Sequence, residues 1–147
     1  MTMSADERAR LAAETMWKDD NASKWMGFQL GEVGEGRAVM SMTVQAHHAN
    51  GHGMCHGGVT FALADSAFAF ACNSRNQATV AQHNSITYLA PGRVGDYLTA
   101  EADEQNLSGR SGIYDVVVRN QDGVAIAEFR GLSRSIGGTL FDENLTE

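Results

Sequence analysis

Two spacings of apolar residues divide this chain into a short helical start and a longer body of strands around one apolar segment. At the start, Ser4 and Glu7 form a capping-box pattern, which predicts the first turn of a helix. Apolar residues then recur at helical spacing, at Ala9, Ala12, Ala13 and Met16. A short second helical turn is expected over residues 20–26, ending at Gly27.

Alternation of apolar and polar residues predicts antiparallel strands on both sides of the apolar segment. Residues 28–44 contain two short strands joined by a turn at residues 34–36. Longer strands are expected at 79–89, 97–105, 112–120 and 124–136. Turn-forming pairs separate these longer strands, at Pro91-Gly92, Ser108-Gly109 and Asp122-Gly123.

The apolar segment over residues 59–74 has no helix breaker and is apolar around nearly its whole circumference, which predicts a helix buried on all sides. Only a sheet that wraps this helix offers enough apolar surface to cover it. The expected fold is therefore α+β, with a curved antiparallel sheet wrapped around a long central helix, which is the hotdog fold. Such a sheet leaves one flank of the helix uncovered, so we expect a second copy of the chain to cover it in a homodimer.

Length, charge and cysteine content narrow the class of protein. The 147 residues are the size of one domain, so we expect a single domain over residues 1–147, with a helical segment at 1–26. The net charge of −7, without a basic patch, argues against a nucleic-acid partner, and no apolar run is long enough to span a membrane. The first 20 residues lack the apolar stretch of a signal peptide, and two cysteines are too few for a disulfide framework. We therefore expect a cytoplasmic protein with reduced thiols.

Asp65 is the most informative single residue, because it places a carboxylate in the middle of the apolar helix. No Lys or Arg lies one helical turn away, so no ion pair along the helix compensates its charge. Either the carboxylate reaches solvent at the edge of the helix, or it lines a cleft as a base or a nucleophile.

The start of the same helix carries a second candidate feature. Gly57 and Gly58 follow His56 there, where free backbone N–H groups and the helix dipole could stabilise an oxyanion, although the glycines could also only shape a tight turn. Asn50 could donate from its amide to a carbonyl, although Asn50-Gly51 is also a favoured turn pair.

The spacing of Gly57 and Asp65 has a consequence for the assembly. They are eight residues apart, which is about 12 Å along a helix, so one small thioester or ester group cannot contact both. A two-fold axis between antiparallel helices would bring Gly57 of one subunit near Asp65 of the other. The homodimer is therefore also the expected minimal active unit.

The sequence from Asn50 to Ser74, with its His56-Gly57-Gly58 and Asp65, resembles the hotdog-fold acyl-CoA thioesterases of the PaaI, phenylacetate-degradation type. The resemblance continues at residues 86–92, 112–116 and 129–131. It implies hydrolysis of acyl-CoA thioesters, with aryl-acyl-CoA such as (hydroxy)phenylacetyl-CoA as the expected substrate and with no metal or organic cofactor. Members of the family are commonly homotetramers built as dimers of dimers.

The resemblance also implies a role for each candidate residue. Asp65 matches the carboxylate that activates water or attacks the thioester, and Gly57 matches the helix-start amide that polarises the thioester carbonyl. Asn50 and His56 match residues placed beside the carbonyl and the leaving sulfur.

The strand after the helix departs from the family pattern. Some members carry a hydroxyl residue there that helps to hold the water, but near Ala81 or Gln82 this chain has no Ser or Thr. Phe68, Phe70 and Tyr88 could line an aryl pocket, and we interpret them as core residues instead.

Other site chemistries fit the pattern less well. One loop contains a cluster of residue types that bind zinc, but their spacing matches no zinc motif. The cluster consists of His47, His48, His52, Cys55 and His56. The glycines before the helix are one residue off the dinucleotide fingerprint, and the following strands are expected to be antiparallel. The neighbouring side chains of Cys55 and His56 need not meet, and no G-x-S-x-G elbow supports a serine hydrolase.

Two alternatives keep the hotdog fold but change the function. One is a non-enzymatic acyl-CoA-binding module, and the other is a dehydratase with His56 as its base. Asp65 argues against the binding module, because a binder of a polyanionic ligand gains nothing from a carboxylate in its cleft.

Overall fold

A computed structural model of the chain describes residues 2–145. Its helices are α1 (Ala5–Asp19), α2 (Asn21–Trp25) and α3 (Gly57–Cys72), with short 3-10 turns at Ala46–His48 and Glu143–Leu145. Its strands are β1 (Gln29–Gly34), β2 (Arg37–Thr43), β3 (Thr79–Tyr88), β4 (Tyr97–Ser108), β5 (Ser111–Arg119) and β6 (Ala125–Ser135). This order of elements is the one that the apolar spacing predicts. No helix among residues 2–145 combines the length and the hydropathy that a membrane crossing requires.

Side-chain caps determine where α1 and α2 begin. Ser4 Oγ accepts the Glu7 backbone N–H at 3.1 Å, which confirms the predicted start of α1. Asp20 Oδ1 accepts the Ser23 backbone N–H at 3.0 Å and so caps α2. Gly27, with a φ of 82°, follows α2 and turns the chain into β1.

The strands of residues 2–145 form one antiparallel sheet in the order β1-β2-β4-β5-β6-β3. Alternate residues of β5 are buried, as in a strand with one face on a core, at Gly112, Tyr114, Val116 and Val118. Strand β3 pairs with β6 on one side, and its other side has no strand partner within residues 2–145. The curved sheet and the helix that it wraps confirm the expected α+β hotdog fold.

Helix α3 packs its apolar residues against the sheet to form the core. Leu63, Phe68 and Phe70 are at most 1% exposed, and the ring of Phe68 packs edge-on against Tyr114 with ring centroids 5.5 Å apart. Helix α3 approaches β6 closely at Gly131, because a Cβ at this position would lie 2.7 Å from the Phe68 ring. A glycine at this position therefore lets the sheet and α3 make contact.

One flank of α3 is only half buried within a single chain. Its half-buried residues are Phe61, Ala62, Asp65, Ser66 and Ala69. Helix α2 covers part of it, since the hydroxyl groups of Ser23 and Ser66 are hydrogen bonded at 2.9 Å. The incomplete cover agrees with the expectation that a wrapped sheet leaves one side of the helix open.

An ion-pair network holds the C-terminal end of α3 against the sheet. Arg75, just after α3, forms a bidentate ion pair with Glu104 of β4, and the Tyr114 hydroxyl donates to the same carboxylate at 2.8 Å. Arg75 also contacts Glu35, in the turn between β1 and β2, at 3.1 Å. The hydrogen bond from Arg75, with a smaller contribution from Tyr114, holds the pKa of Glu104 below its ordinary value against the opposing effect of burial.

Candidate active site

The first turn of α3 offers one unpaired backbone N–H, at Gly57. His56 is the N-cap residue, and its Nδ1 accepts the Gly58 N–H at 2.8 Å, while its carbonyl accepts the Val59 N–H at 2.9 Å. The Gly57 N–H has no acceptor within residues 2–145. Because a helix N-terminus carries partial positive charge, this N–H can stabilise negative charge that develops on an oxygen.

Asn50 is fixed in the loop before α3 by its own side chain. Its Oδ1 accepts the backbone N–H groups of His52 at 2.9 Å and of Met54 at 3.2 Å. These two donors identify the oxygen end of the amide, so Nδ2 is the end that is left to donate. The turn and the donor role predicted for Asn50 are compatible, because they use different atoms of the side chain.

A cavity of about 370 Å³ has both Asn50 and Gly57 in its wall. Tyr88 of β3 forms another part of the wall, and its hydroxyl donates to the Gly57 carbonyl at 2.7 Å. Tyr88 is 52% exposed, so its interpretation as a core residue is wrong, whereas Phe68 and Phe70 are in the core. The cavity therefore combines two free N–H donors with an aromatic wall.

Asp65 lies two turns further along α3, on the half-buried flank. Its hydrogen-bond partner is Asn84 of β3, whose Nδ2 donates to Asp65 Oδ1 at 3.0 Å. Burial raises the pKa of Asp65, and the hydrogen bond from Asn84 partly opposes that rise. A carboxylate whose pKa is raised, and which keeps one oxygen available, is suited to accept a proton from a reacting group.

Asp65 and Gly57 open into different cavities of the same chain. The cavity beside Asp65 has a volume of about 320 Å³ and lies between α2 and α3, with Ser23 and Ala62 in its wall. Gly57 is not part of that wall, and Asp65 is not part of the wall of the cavity at Asn50. The structure thus brings Asn50 and Gly57 together and holds Asp65 apart from them within one chain.

Two reactive side chains of the loop before α3, those of His48 and Cys55, are buried. His48 is buried, with Nδ1 accepting the Gln45 N–H at 2.9 Å and Nε2 lying 2.7 Å from the Met26 carbonyl. Burial raises the pKa of the Cys55 thiol, and raises the pKa of Cys72 to about 12, so both thiols are poor nucleophiles. Within residues 2–145, no three His, Cys, Asp or Glu side chains come together as metal ligands.

His56, Ala81 and Gln82 all lie outside the wall of the cavity at Asn50. His56 is exposed and caps α3 through Nδ1, and it is not part of the wall at Asn50. Ala81 and Gln82, near which some family members carry a hydroxyl residue, are also exposed, and Asn84 contacts Asp65 instead. The sequence gives little sign of this, because residues 82–85 are all polar and no alternation shows which side chain faces α3.

Known proteins resemble this chain in both sequence and structure. The family model of the thioesterase superfamily matches residues 52–127. The acyl-coenzyme A thioesterase PaaI of Escherichia coli K12 is 45% identical over 131 residues, which span 89% of this chain and 94% of that protein. The structure of the E. coli PaaI protein from the phenylacetic acid degradation operon matches with a TM-score of 0.91 at 44% identity, over 92% of this chain and 99% of that chain. A Streptococcus mutans UA159 protein bound to acetyl CoA matches with a TM-score of 0.74 at 25% identity, over 77% of this chain and 91% of that one.

Proposed function

The chain belongs to the thioesterase superfamily, and we propose that it hydrolyses acyl-coenzyme A thioesters with Asp65 as its catalytic carboxylate. The observation that carries the proposal is the environment of Asp65. It is a half-buried carboxylate beside a cavity, with an uncharged amide rather than a cation as its partner. Burying a carboxylate beside a neutral partner costs free energy, which a structural role does not explain. The same environment suits a carboxylate that must accept a proton or attack a carbonyl.

The Gly57 N–H is the proposed oxyanion donor for the thioester carbonyl. The Gly57 N–H is free because the first N–H of a helix has no acceptor within the helix, and the His56 side chain caps the N–H of Gly58 instead. It also lies at the positive end of the helix dipole. Asn50 Nδ2, in the same cavity wall, would add a second donor to the carbonyl or to the leaving sulfur. The Nε2 of His56 lies at the same helix start and is proposed to act beside the leaving group.

We propose that the active site forms between two subunits, because one chain holds Gly57 and Asp65 in separate cavities. The free side of β3 supports this assembly, since β3 is an edge strand with two exposed apolar residues, Val80 and Tyr88, and is followed by the exposed Leu89. A second copy related by a two-fold axis would cover this edge and bring its Asp65 toward the first chain's Gly57. A tetramer made of two such dimers is the larger assembly that we propose.

An aryl-acyl group, such as phenylacetyl or hydroxyphenylacetyl, is the proposed acyl part of the substrate. The similarity to a PaaI protein of a phenylacetic acid degradation operon supports this class. The half-exposed ring of Tyr88 beside Gly57 also supports it, because an aromatic wall can pack against an aryl group close to the carbonyl. The whole chain is proposed to form one domain with this activity in the cytoplasm.

A panel of acyl-CoA thioesters tests the activity, with a thiol reagent to detect released coenzyme A. We expect aryl-acyl-CoA to be cleaved faster than aliphatic acyl-CoA of similar size. Binding of acyl-CoA without cleavage would instead support the non-enzymatic binding module, and hydration of an enoyl-CoA would support the dehydratase.

Asp65→Asn tests the proposed carboxylate. The variant keeps the shape of the side chain but loses its charge and basicity, so we expect kcat to fall by about 10²–10⁴-fold. Asp122→Asn is the matched control, because Asp122 lies exposed in the turn between β5 and β6, and we expect it to keep full activity. Near-wild-type turnover in Asp65→Asn would contradict the proposed role.

A further inference from the structure

Asn84 presents two polar atoms next to Asp65, and only one of them has a partner. Its Nδ2 donates to Asp65 Oδ1 at 3.0 Å. Its Oδ1 is buried and accepts no hydrogen bond from residues 2–145. A buried carbonyl oxygen without a donor costs free energy, so an amide with only a structural role is expected to have both ends satisfied.

The two side chains are close enough to share a water molecule. The oxygen and nitrogen of one amide are about 2.2 Å apart, from their bond lengths and the trigonal angle at carbon. Since Asn84 Nδ2 lies 3.0 Å from Asp65 Oδ1, Asn84 Oδ1 lies no more than about 5.2 Å from that oxygen. One water with two hydrogen bonds of about 2.8 Å can bridge acceptors at such a separation.

We propose that Asn84 is the residue that positions the attacking water, with its Oδ1 accepting one water proton while the Asp65 carboxylate accepts the other. This inference rests on the proposed thioesterase function and assigns the water-holding role that Ala81 and Gln82 cannot fill. Asn84 acts through both ends of its amide, because Nδ2 holds the carboxylate in place while Oδ1 holds the water.

The step that follows is general-base hydrolysis. The water oxygen bonds to the thioester carbonyl carbon as Asp65 takes one water proton, and the carbonyl oxygen becomes the oxyanion. The C–S bond then breaks, the electron pair leaves with sulfur, and the proton held by Asp65 passes to the thiolate. The products are the free acid and coenzyme A thiol, so the atoms of one water are fully accounted for.

The first test compares Asn84→Ala with Ser85→Ala. The alanine at position 84 removes both polar atoms, so we expect kcat to fall by about 10- to 100-fold with KM within about twofold, as for a misplaced reactant. Ser85 is the next residue on β3 and lines a cavity on the other face of the sheet with Thr87 and Asp115, so we expect Ser85→Ala to keep wild-type kinetics. Asn84→Ser restores a hydroxyl that can donate and accept, and we expect it to recover part of the lost kcat.

Stability separates a positioning role from a structural one. Asn84→Ala removes an unsatisfied buried carbonyl, which favours the fold, and the donor to Asp65, which disfavours it, so we expect the melting temperature to change by only a few degrees while kcat falls. A parallel loss of melting temperature and kcat in both Asn84→Ala and Asn84→Ser would indicate a structural role and overturn the proposal.

The pH profile gives a second readout. Without the Asn84 donor, the pKa of Asp65 should rise further, so the acid limb of the kcat profile should move to higher pH. Among residues 2–145, the structure places two other titratable groups near Asp65: Asp20, in the wall of the same cavity, and Cys72 on α3. Neither is changed by the substitution. An acid limb that stays in place in Asn84→Ala would contradict the contact between the two side chains.

An oxygen-18 experiment tests the water itself. With enzyme in excess over phenylacetyl-CoA in ¹⁸O-labelled water, a single turnover should release acid that carries one ¹⁸O atom. Unlabelled acid together with ¹⁸O in the Asp65 carboxylate would show that Asp65 attacks the thioester directly, and would overturn the proposal. If the wild-type chain cleaves no thioester, the proposed function fails as well; if wild type is active and Asn84→Ala equals it, only the role of Asn84 is wrong.

Discussion

The contact between Gly57 and Tyr88 leaves no spare room for a side chain at the start of α3. A Cβ at Gly57 would lie 3.0 Å from the Tyr88 hydroxyl oxygen and 3.1 Å from its Cζ. The Tyr88 ring is half exposed, so it can shift, but the shift would move one wall of the cavity that holds the proposed oxyanion donor.

Gly57→Ala is therefore expected to fold and to lose activity through Tyr88. We expect kcat/KM to fall by about tenfold, because a small displacement beside the reacting group is costly. In a Tyr88→Ala background the same methyl group has space, so Gly57→Ala should cost little more there, and a double-mutant cycle measures this coupling. Gly51→Ala is the control, since a Cβ at Gly51 meets no atom within 4 Å. Additive effects of the two substitutions would contradict the steric explanation.

At the residue scale, the sequence identified the residues that break a local pattern. Asp65 was predictable because a carboxylate stands out in an apolar helix, and Gly57 because it opens that helix. The contact of Asn84 with Asp65 was not predictable, because the two residues are 19 positions apart and the sequence neighbours of Asn84 are polar as well. The exposure of Tyr88 was also missed, because the sequence does not show that β3 lies at the edge of the sheet.

At the scale of elements, the C-terminal end of α3 depends on charges that the sequence pattern did not reveal. Strands and turns followed from local alternation and from turn-forming pairs, but strand order depends on long-range pairing. The network of Arg75, Glu104 and Tyr114 joins α3, β4 and β5, and these residues become neighbours only after the sheet has formed.

Glu104→Gln tests this network through the pH dependence of stability. The folded-state pKa of Glu104 is lowered, so its ionised form stabilises the fold above the ordinary carboxyl pKa, and this stabilisation is lost as pH falls through the lowered value. We expect Glu104→Gln to melt several degrees below wild type near pH 7, with the difference shrinking toward about pH 3. Thermal unfolding followed by circular dichroism at both pH values measures it.

Asp115→Asn provides the comparison for that experiment. It removes the exposed ion pair between Asp115 and Arg130, whose side chains are 36% and 56% exposed, so we expect only a small change in melting temperature. Equal effects of the two substitutions, or a Glu104→Gln deficit that persists at low pH, would contradict the assigned role of the network.

At the scale of the whole molecule, the separate cavities at Gly57 and Asp65 predict complementation between damaged subunits. Asp65→Asn and Gly57→Pro chains should each be inactive alone, since the proline removes the N–H and is tolerated in the first turn of a helix. When they are co-expressed, a mixed dimer has one intact site and one doubly damaged site. About half of randomly formed dimers are mixed, so activity should return toward about a quarter of wild type.

Gly57→Ala is the control for complementation, because it adds a Cβ near Tyr88 but keeps the N–H. It should retain more activity than Gly57→Pro. Circular dichroism must show that Gly57→Pro is folded, and size-exclusion chromatography that mixed dimers form. No recovery in a verified mixed dimer would show that each site lies within one chain.

A site shared between the start of one α3 and the middle of another would also make catalysis depend on concentration. When each site needs the start of one α3 and the middle of another, a lone chain has no working site, so the number of active sites follows the law of mass action. Below the dimer dissociation constant, twofold dilution should lower the rate per unit volume about fourfold and the rate per chain about twofold. A cell that makes little of this protein would then have disproportionately little activity, and a modest increase in synthesis would raise the activity more than in proportion.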